Sequence, residues 1–164
     1  MKTETIILAL AIIFTGLMAG IFFTWSNAVK PGIGKLSDLE YLRAFQSMNR
    51  VILNNTFKII FSGAIITTGL LPIFYFNLYP NNFFWVFISA FIIYWVGAFG
   101  VTIFGNIPLN ELLDKTSLGS ISLEELKKLR TIIEVKWNNF NIIRSISSAV
   151  SFTLLIVSIL LINK

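Results

Sequence analysis

Four apolar stretches dominate the pattern of hydrophobic and polar positions along the chain. They cover residues 5–25, 59–79, 83–104 and 142–162. Each is roughly 20 residues long, and at 1.5 Å per residue a helix of that length spans about 30 Å, the thickness of a bilayer's hydrocarbon core. The pattern therefore predicts one all-α domain, residues 1–164, that crosses a membrane four times.

The two longer polar segments between the stretches also carry helix signals. Ser37 with Glu40, and Ser122 with Glu125, form the capping-box pattern that begins a helix. Apolar residues then recur every three or four positions, which is typical of amphipathic helices. The predicted amphipathic helices cover 38–56 and 123–141.

Nothing in the sequence forces these amphipathic helices to end where the next span begins. Residues 40–60 contain no glycine or proline, and neither does the chain after Gly119. We therefore expect two long continuous helices, over about 38–71 and 123–162. The predicted fold is a four-transmembrane-helix bundle with two helices extended into the cytoplasm.

The distribution of charge predicts the orientation. Ten of the 13 Lys and Arg residues lie in 27–58 and 105–141, whereas the opposite side carries only Lys2, the uncharged turn 78–82 and Lys164. By the positive-inside rule both segments lie in the cytoplasm and both termini lie outside it, in a multi-pass protein of the bacterial inner membrane. The net charge of +5 thus indicates orientation beside membrane lipid, and we expect no nucleic-acid partner.

A cleaved signal peptide is an alternative interpretation of the first stretch. Lys2 precedes it, and the small residues Ala19 and Gly20 resemble a cleavage site. The apolar run continues past that point, and Leu17 fits the site poorly. We therefore expect this stretch to be a membrane span.

Composition removes most familiar catalytic chemistry. Hydrophobic residues make up 55% of the chain and charged residues 13%, which a soluble domain of this size does not accommodate. The chain has no Cys and no His. Disulfides, thiolate nucleophiles, imidazole bases and the usual zinc sites are therefore excluded, and no metal site is expected.

Polar residues gather at one end of the predicted bundle, the end of the two charged segments. On the fourth span, Trp137, Asn141, Arg144 and Ser148 are spaced by four, three and four residues, so they share one helix face. The further members of this group are Ser26, Asn27, Asn49, Arg50, Asn106, Asn110 and Asn138.

Less specific interpretations of these residues stay open. Arg144 lies two or three residues inside its span and can snorkel to the headgroups, and Trp25 can be an interfacial anchor. Asn106 and Asn110 share a face only if the third helix continues past Pro108, which favours a turn. The Asn residues can also form a hydrogen-bond network that only holds the helices together.

Four segments resemble the anthrone oxygenase-like family of small four-helix membrane proteins. The segments are Gly20 to Gly34 (GIFFTWSNAVKPGIG), Phe45 to Arg50 (FQSMNR), Gly105 to Asn110 (GNIPLN) and Trp137 to Arg144 (WNNFNIIR). The resemblance implies that fungal members oxidise polyketide anthrones to anthraquinones with O₂ and no metal or flavin. A lipophilic aromatic ligand and no cofactor are therefore expected.

The resemblance also suggests roles for the polar group. The expected catalytic residues, which supply positive charge and hydrogen-bond donors, are Arg144, Asn141, Asn106 and Asn110. The expected substrate-binding residues are Trp137, Phe140, Trp25, Asn49 and Arg50. In the absence of His, the candidates for a general base are Glu111 and solvent.

Two other functions compete with an oxygenase. A non-catalytic membrane protein would bind a lipid or quinone-like molecule at the same place, or serve as a scaffold through its cytoplasmic helices. Transport is less favoured, because no charged residue lies at the centre of a span to mark an ion path.

Overall fold

Five α-helices make up most of the chain that the structure describes. The computed structural model describes residues 2–79 and 82–162, and no strand occurs within them. Residues 80 and 81 of the predicted turn, and Lys164, lie outside the described residues. The all-α prediction is confirmed. The helices are α1 (Thr3–Ile33), α2 (Asp38–Ile52), α3 (Asn55–Phe74), α4 (Phe83–Lys115) and α5 (Leu123–Leu160), with a short 3-10 turn, Phe76–Leu78, after α3.

Four of these helices, α1, α3, α4 and α5, are long and apolar enough to cross a membrane. Their outward faces are apolar as well. Ile13, Ile66 and Phe104 expose 54%, 58% and 86% of their surface. Apolar area exposed on this scale is unfavourable in water and favourable in lipid. The chain therefore forms a multi-pass membrane protein, as the pattern predicts.

The spanning helices pack as a ring. Helix α1 contacts α3 and α5, and α4 contacts the same two helices, with neighbours antiparallel because successive spans reverse direction. Two apolar clusters fill the interior of the ring. One surrounds Phe87 and Leu155, and the other surrounds Met18 and Tyr94; all four side chains are completely buried.

Helix α2 closes one end of the ring. Its apolar face, Tyr41, Leu42 and Phe45, is completely buried against Leu113 of α4 and Ile133 of α5. Capping boxes begin α2 at Ser37 and α5 at Ser122, as predicted. We refer to this end of the bundle as the α2 end.

The prediction of one continuous helix over 38–71 is wrong. Helix α2 ends at Ile52, and Asn54 begins α3 as its N-cap, with Oδ1 accepting from the Phe57 amide at 3.0 Å and Nδ2 donating to Val51 O. Asparagine is among the best N-cap residues. The break lets the amphipathic face of α2 fold onto α4 and α5, where it buries apolar area that a straight helix would leave exposed.

The other long helix is continuous, as predicted, from Leu123 to Leu160. Helix α4 also continues through Pro108, which the sequence left open. A π-helical turn, Thr102–Asn106, ends two residues before this proline. Proline has no amide hydrogen to donate, and here it falls where the hydrogen-bonding pattern of the helix changes.

Candidate functional site

π-Helical turns interrupt three of the four spanning helices, at or near the α2 end of the bundle. Within the described residues there are four of them: Trp25–Val29 in α1, Trp95–Gly100 and Thr102–Asn106 in α4, and Ile133–Trp137 in α5. A π-helical turn widens the helix, is rare, and occurs frequently at functional sites. Three of the four turns end at or contain a residue of the polar group predicted from the sequence.

Arg144 lies at the centre of this region and points into the bundle. Its surface is only 5% exposed. Nη1 donates to Thr102 Oγ1 at 3.3 Å and Nη2 donates to Asn141 Oδ1 at 2.9 Å. The guanidinium also lies 4.3 Å from the centre of the Phe22 ring and 5.0 Å from that of Trp137. The snorkelling interpretation is therefore wrong for Arg144.

The guanidinium of Arg144 lacks a counter-charge. In the described part of the chain none of the ion pairs includes Arg144, and its Nε has no hydrogen-bond partner. Burying a cation without a carboxylate is costly, and the two aromatic rings and two neutral acceptors offset only part of that cost. The site is thus electrostatically suited to an anion or to a group that becomes anionic.

Asn141 and Asn106 connect Arg144 to the neighbouring helices. Asn141 Nδ2 donates to Phe22 O at 3.0 Å and to Ser26 Oγ at 2.9 Å, which ties α5 to α1. Asn106 Nδ2 donates to Trp137 O at 3.2 Å, which ties α4 to α5. Both side chains are buried, and no partner of Asn106 Oδ1 is found among the described residues.

An aromatic group separates these amides from the α2 end. Trp137 packs against Trp25 with ring centres 4.5 Å apart, and Phe45 of α2 lies 5.0 Å from Trp137. Trp137 Nε1 donates to Asn110 Oδ1 at 2.6 Å, and Trp25 Nε1 donates to Asn138 Oδ1 at 2.8 Å. Both indole N–H groups therefore have partners within the protein, with Trp137 buried and Trp25 half-buried.

Other predicted site residues lie elsewhere. Arg50 is exposed and pairs with Asp114 at 2.6 Å, and Glu111 is exposed and pairs with Lys115 at 3.1 Å. Asn49 is half-buried on α2, with no hydrogen bond from its amide nitrogen within the described residues. A surface ion pair neutralises each charge, so neither Arg50 nor Glu111 adds to the buried site.

Phe140 faces a different surface. Its ring packs on Gly105, where a Cβ atom would come within 2.9 Å of the ring. It also borders a groove of about 680 Å³ on the side of the bundle, lined chiefly by aromatic and aliphatic residues of α4 that include Trp95 and Phe104. Phe140 therefore lines an apolar groove beside the polar group and is not a wall of it.

The structure adds residues that the sequence did not single out. Tyr94 and Thr102 lie on the face of α4 that meets α5, and Phe22 of α1 covers the guanidinium. Thr102 lies four residues before Asn106, a helical spacing that could have singled it out. No such spacing marks Tyr94, because the π-helical turn Trp95–Gly100 follows it. For metals, no cluster of three or more acidic, Cys or His side chains occurs among the residues described.

Together the fold and the site define a class: a small multi-pass helical membrane protein with a buried arginine, near one end of its bundle, that forms no ion pair among the described residues. A comparison with family models then gives the family. The anthrone oxygenase model matches residues 50–154, which is more than half of the chain and includes Asn106, Asn141 and Arg144. The chain therefore belongs to the anthrone oxygenase family, which confirms the resemblance. No curated protein and no solved structure matches it.

Proposed function

We propose that this protein oxidises a lipophilic anthrone-type aromatic to the corresponding quinone with O₂ and without a cofactor. The observation that carries the proposal is the guanidinium of Arg144, which is buried and has no carboxylate partner in the described chain. An arginine in that state stabilises negative charge that develops on a substrate oxygen. Membership of the anthrone oxygenase family supplies the substrate class.

The chemistry needs one oxyanion and O₂. Loss of a proton from C10 of an anthrone leaves its electron pair in the ring system, with the charge on the C9 oxygen. One electron passes to O₂, and the two radicals combine to form a C10–O bond. The peroxide takes back a proton, and loss of water then breaks the O–O bond and the second C10–H bond. One anthrone and one O₂ thus give one quinone and one water.

The residues of the site divide this work. Arg144 Nε, which has no protein partner in the described residues, faces the developing oxyanion. Asn141 orients the guanidinium through Nη2, and Phe22 and Trp137 exclude water from it. Because Glu111 is exposed and paired with Lys115, the proton passes to solvent in this proposal. The high local field of a buried cation lowers the cost of that transfer.

A second candidate function is binding without turnover. One observation favours it: in the described residues no carboxylate contacts the buried guanidinium, so no protein base stands beside it. A quinone-like ligand or a lipid headgroup oxygen would satisfy Arg144 without being changed.

Oxygen stoichiometry separates the two candidates. We expect purified protein in detergent to consume one O₂ per anthrone, faster than micelles alone, with quinone as product and no release of H₂O₂. Catalase, which returns O₂ from H₂O₂, would then leave the oxygen trace unchanged. Uptake no faster than the autoxidation in micelles would rule out the oxygenase and leave the binding function.

The α2 end faces the cytoplasm of a bacterial inner membrane in this proposal, with both termini outside. The concentration of Lys and Arg in 27–58 and 105–141 supports this orientation. Because the chain has no Cys, single-cysteine variants report on it directly. A membrane-impermeant maleimide should label Thr3→Cys from outside intact cells and Ser120→Cys only in inverted vesicles. The reverse pattern would contradict the orientation.

A further inference from the structure

Two buried hydroxyl groups deeper in the bundle have no role in the chemistry above. Tyr94 and Ser148 are both completely buried. Neither Tyr94 Oη nor Ser148 Oγ has a hydrogen-bond partner in the part of the chain that the structure describes, and the same is true of Arg144 Nε. A buried polar atom left without a partner costs about 1–3 kcal/mol, so three in one region need an explanation.

The register of α4 against α5 brings the three groups together. Going along α4, Ala90 O accepts from Ser151 Oγ at 2.9 Å, Gly97 is in contact with Ser147, and Thr102 Oγ1 accepts from Arg144. These antiparallel pairs place Tyr94, which lies between Ala90 and Gly97, at the level of Ser148.

Ser148 also lies near Arg144. It follows Arg144 by four residues along α5, so the two side chains lie on one helix face, about one turn apart. All three unpartnered atoms can donate: Nε carries a fixed hydrogen, and the tyrosine and serine hydroxyls rotate to suit a partner. Three donors thus lie on facing helices at neighbouring levels of the bundle, and none of them has an acceptor among the described residues.

We propose that Tyr94 and Ser148 join Arg144 Nε in donating hydrogen bonds to a single oxyanion of the bound aromatic ligand. This proposal rests on the proposed function for the ligand class, but it concerns binding of an ionised oxygen and does not require turnover. It assigns the site a preference for the anionic form of a planar ketone or phenol, with the oxygen pointing away from the α2 end.

An ionisable ligand tests the proposal without catalysis. The probe is 2-hydroxyanthraquinone, whose phenolate absorbs at longer wavelength than its phenol. Bound to wild-type protein in detergent, the probe should ionise at lower pH than in micelles alone. Because each hydrogen bond to a charged oxygen favours the anion, Tyr94→Phe and Ser148→Ala should each raise the pKa of the bound probe by about 1 unit.

Matched controls are available at the other end of the bundle. Tyr75→Phe removes a buried hydroxyl beside Phe87, and Ser158→Ala removes one that bonds Leu155 O within its own helix. Neither should move the pKa of the probe. If Ser148→Ala folds poorly, Ser148→Thr provides a second test. It keeps the hydroxyl, so the pKa of the bound probe should equal that in wild type.

The outcomes separate this proposal from the proposed function. Failure of the probe to bind would overturn it. Equal probe pKa values in wild type, Tyr94→Phe and Ser148→Ala would also overturn it, since that is the result expected if a buried water satisfies these hydroxyls. A lowered probe pKa in wild type that rises in both variants supports it, even if no anthrone is oxidised. Turnover with unchanged probe pKa values would leave the oxygenase standing and remove this subsite.

Discussion

Two arginines of α5 lie in opposite electrostatic environments. Arg130 donates to Gly34 O, Leu36 O, Asp38 and Glu134, with distances of 2.7–3.0 Å, and lies over the Tyr41 ring. Arg144, about four turns further along, has two neutral acceptors, and its Nε has no hydrogen-bond partner in the described part of the chain. The first guanidinium is fully satisfied within the protein. The second is held in place but not neutralised.

The difference indicates what each arginine is for. Arg130 fixes the turn between α1 and α2 against α5, a structural role that its two carboxylates and two carbonyls complete. In the proposed function Arg144 binds the oxyanion of the ligand, because no ion pair in the described part of the chain neutralises its charge. Activity should therefore depend on Arg144, and folding on Arg130.

Replacing Arg144 with Met should have the largest effect. We expect the kcat/KM for anthrone oxidation to fall about 100-fold, as when a main oxyanion donor is removed. Thermal stability in detergent should not decrease, because the variant no longer buries an unpaired cation. Arg43→Met, at an exposed position of α2, is the control. Equal activity in the two variants would remove Arg144 from the mechanism.

Replacing Arg130 with Met should show the reverse. We expect the free energy of unfolding to fall by about 2–3 kcal/mol, because two carboxylates and two carbonyls lose a charged donor. Oxygen uptake per folded molecule should stay within about twofold of wild type. Denaturant titration in detergent measures the first quantity and activity normalised to folded protein the second. A loss of activity as large as that of Arg144→Met would contradict the assignment of a purely structural role to Arg130.

A glycine tests how tightly α4 and α5 pack beside Arg144. A Cβ atom at Gly97 would come within 2.0 Å of Ser147 Oγ, whereas a Cβ atom at Gly20 meets nothing within 4 Å. Gly97→Ala should therefore lower the free energy of unfolding by about 2 kcal/mol, the cost of overpacking. Gly20→Ala should cause no loss. If both variants unfold alike, this contact does not constrain the site.

Removing the N-cap at the break between α2 and α3 should lower the free energy of unfolding by less than Gly97→Ala does. Asn54→Ala removes the N-cap of α3 and should cost about 1 kcal/mol of unfolding free energy. Asn55→Ala, at the next and exposed position, is the matched control. A variant with unchanged stability would show that packing of α2 alone sets the break.

The smallest effect concerns pH and appears only in alkaline solution. Burial, followed by the charge of Glu134, raises the pKa of Tyr41 to about 12. Because the pKa in the folded protein lies above the usual tyrosine pKa of about 10, the neutral phenol stabilises the fold below pH 10, and this contribution is lost as the pH rises towards 12. Wild type should therefore lose more stability than Tyr41→Phe between pH 10 and 12. Parallel alkaline unfolding curves would contradict this.

Much of the molecule follows from the sequence. The four apolar stretches, the two capping boxes and the face formed by Trp137, Asn141 and Arg144 all rest on local spacing, which a helix converts directly into geometry. The break at Asn54 did not follow, because residues 40–60 contain no glycine or proline that would mark the end of a helix. Burial of the α2 face favours the break.

The site was only half predictable for a related reason. Arg50 and Glu111 are sequence neighbours of site residues, yet each faces a surface ion partner on the same or another helix. Tyr94 looked like an ordinary aromatic of a span, and the π-helical turns that rotate the faces of α1, α4 and α5 leave no mark in a periodic pattern.

The sequence by itself determined that the spans are surrounded by lipid, where the spanning helices lie, and which residues share a face of α5, because hydrophobic length and helical spacing are local properties. Only the tertiary structure decided that Arg144 turns inward without a carboxylate, that Arg130 is neutralised, and that Tyr94 and Ser148 lie at one level. Those outcomes depend on which faces of α1, α4 and α5 meet. The packing of the whole bundle, and no single segment, sets that register.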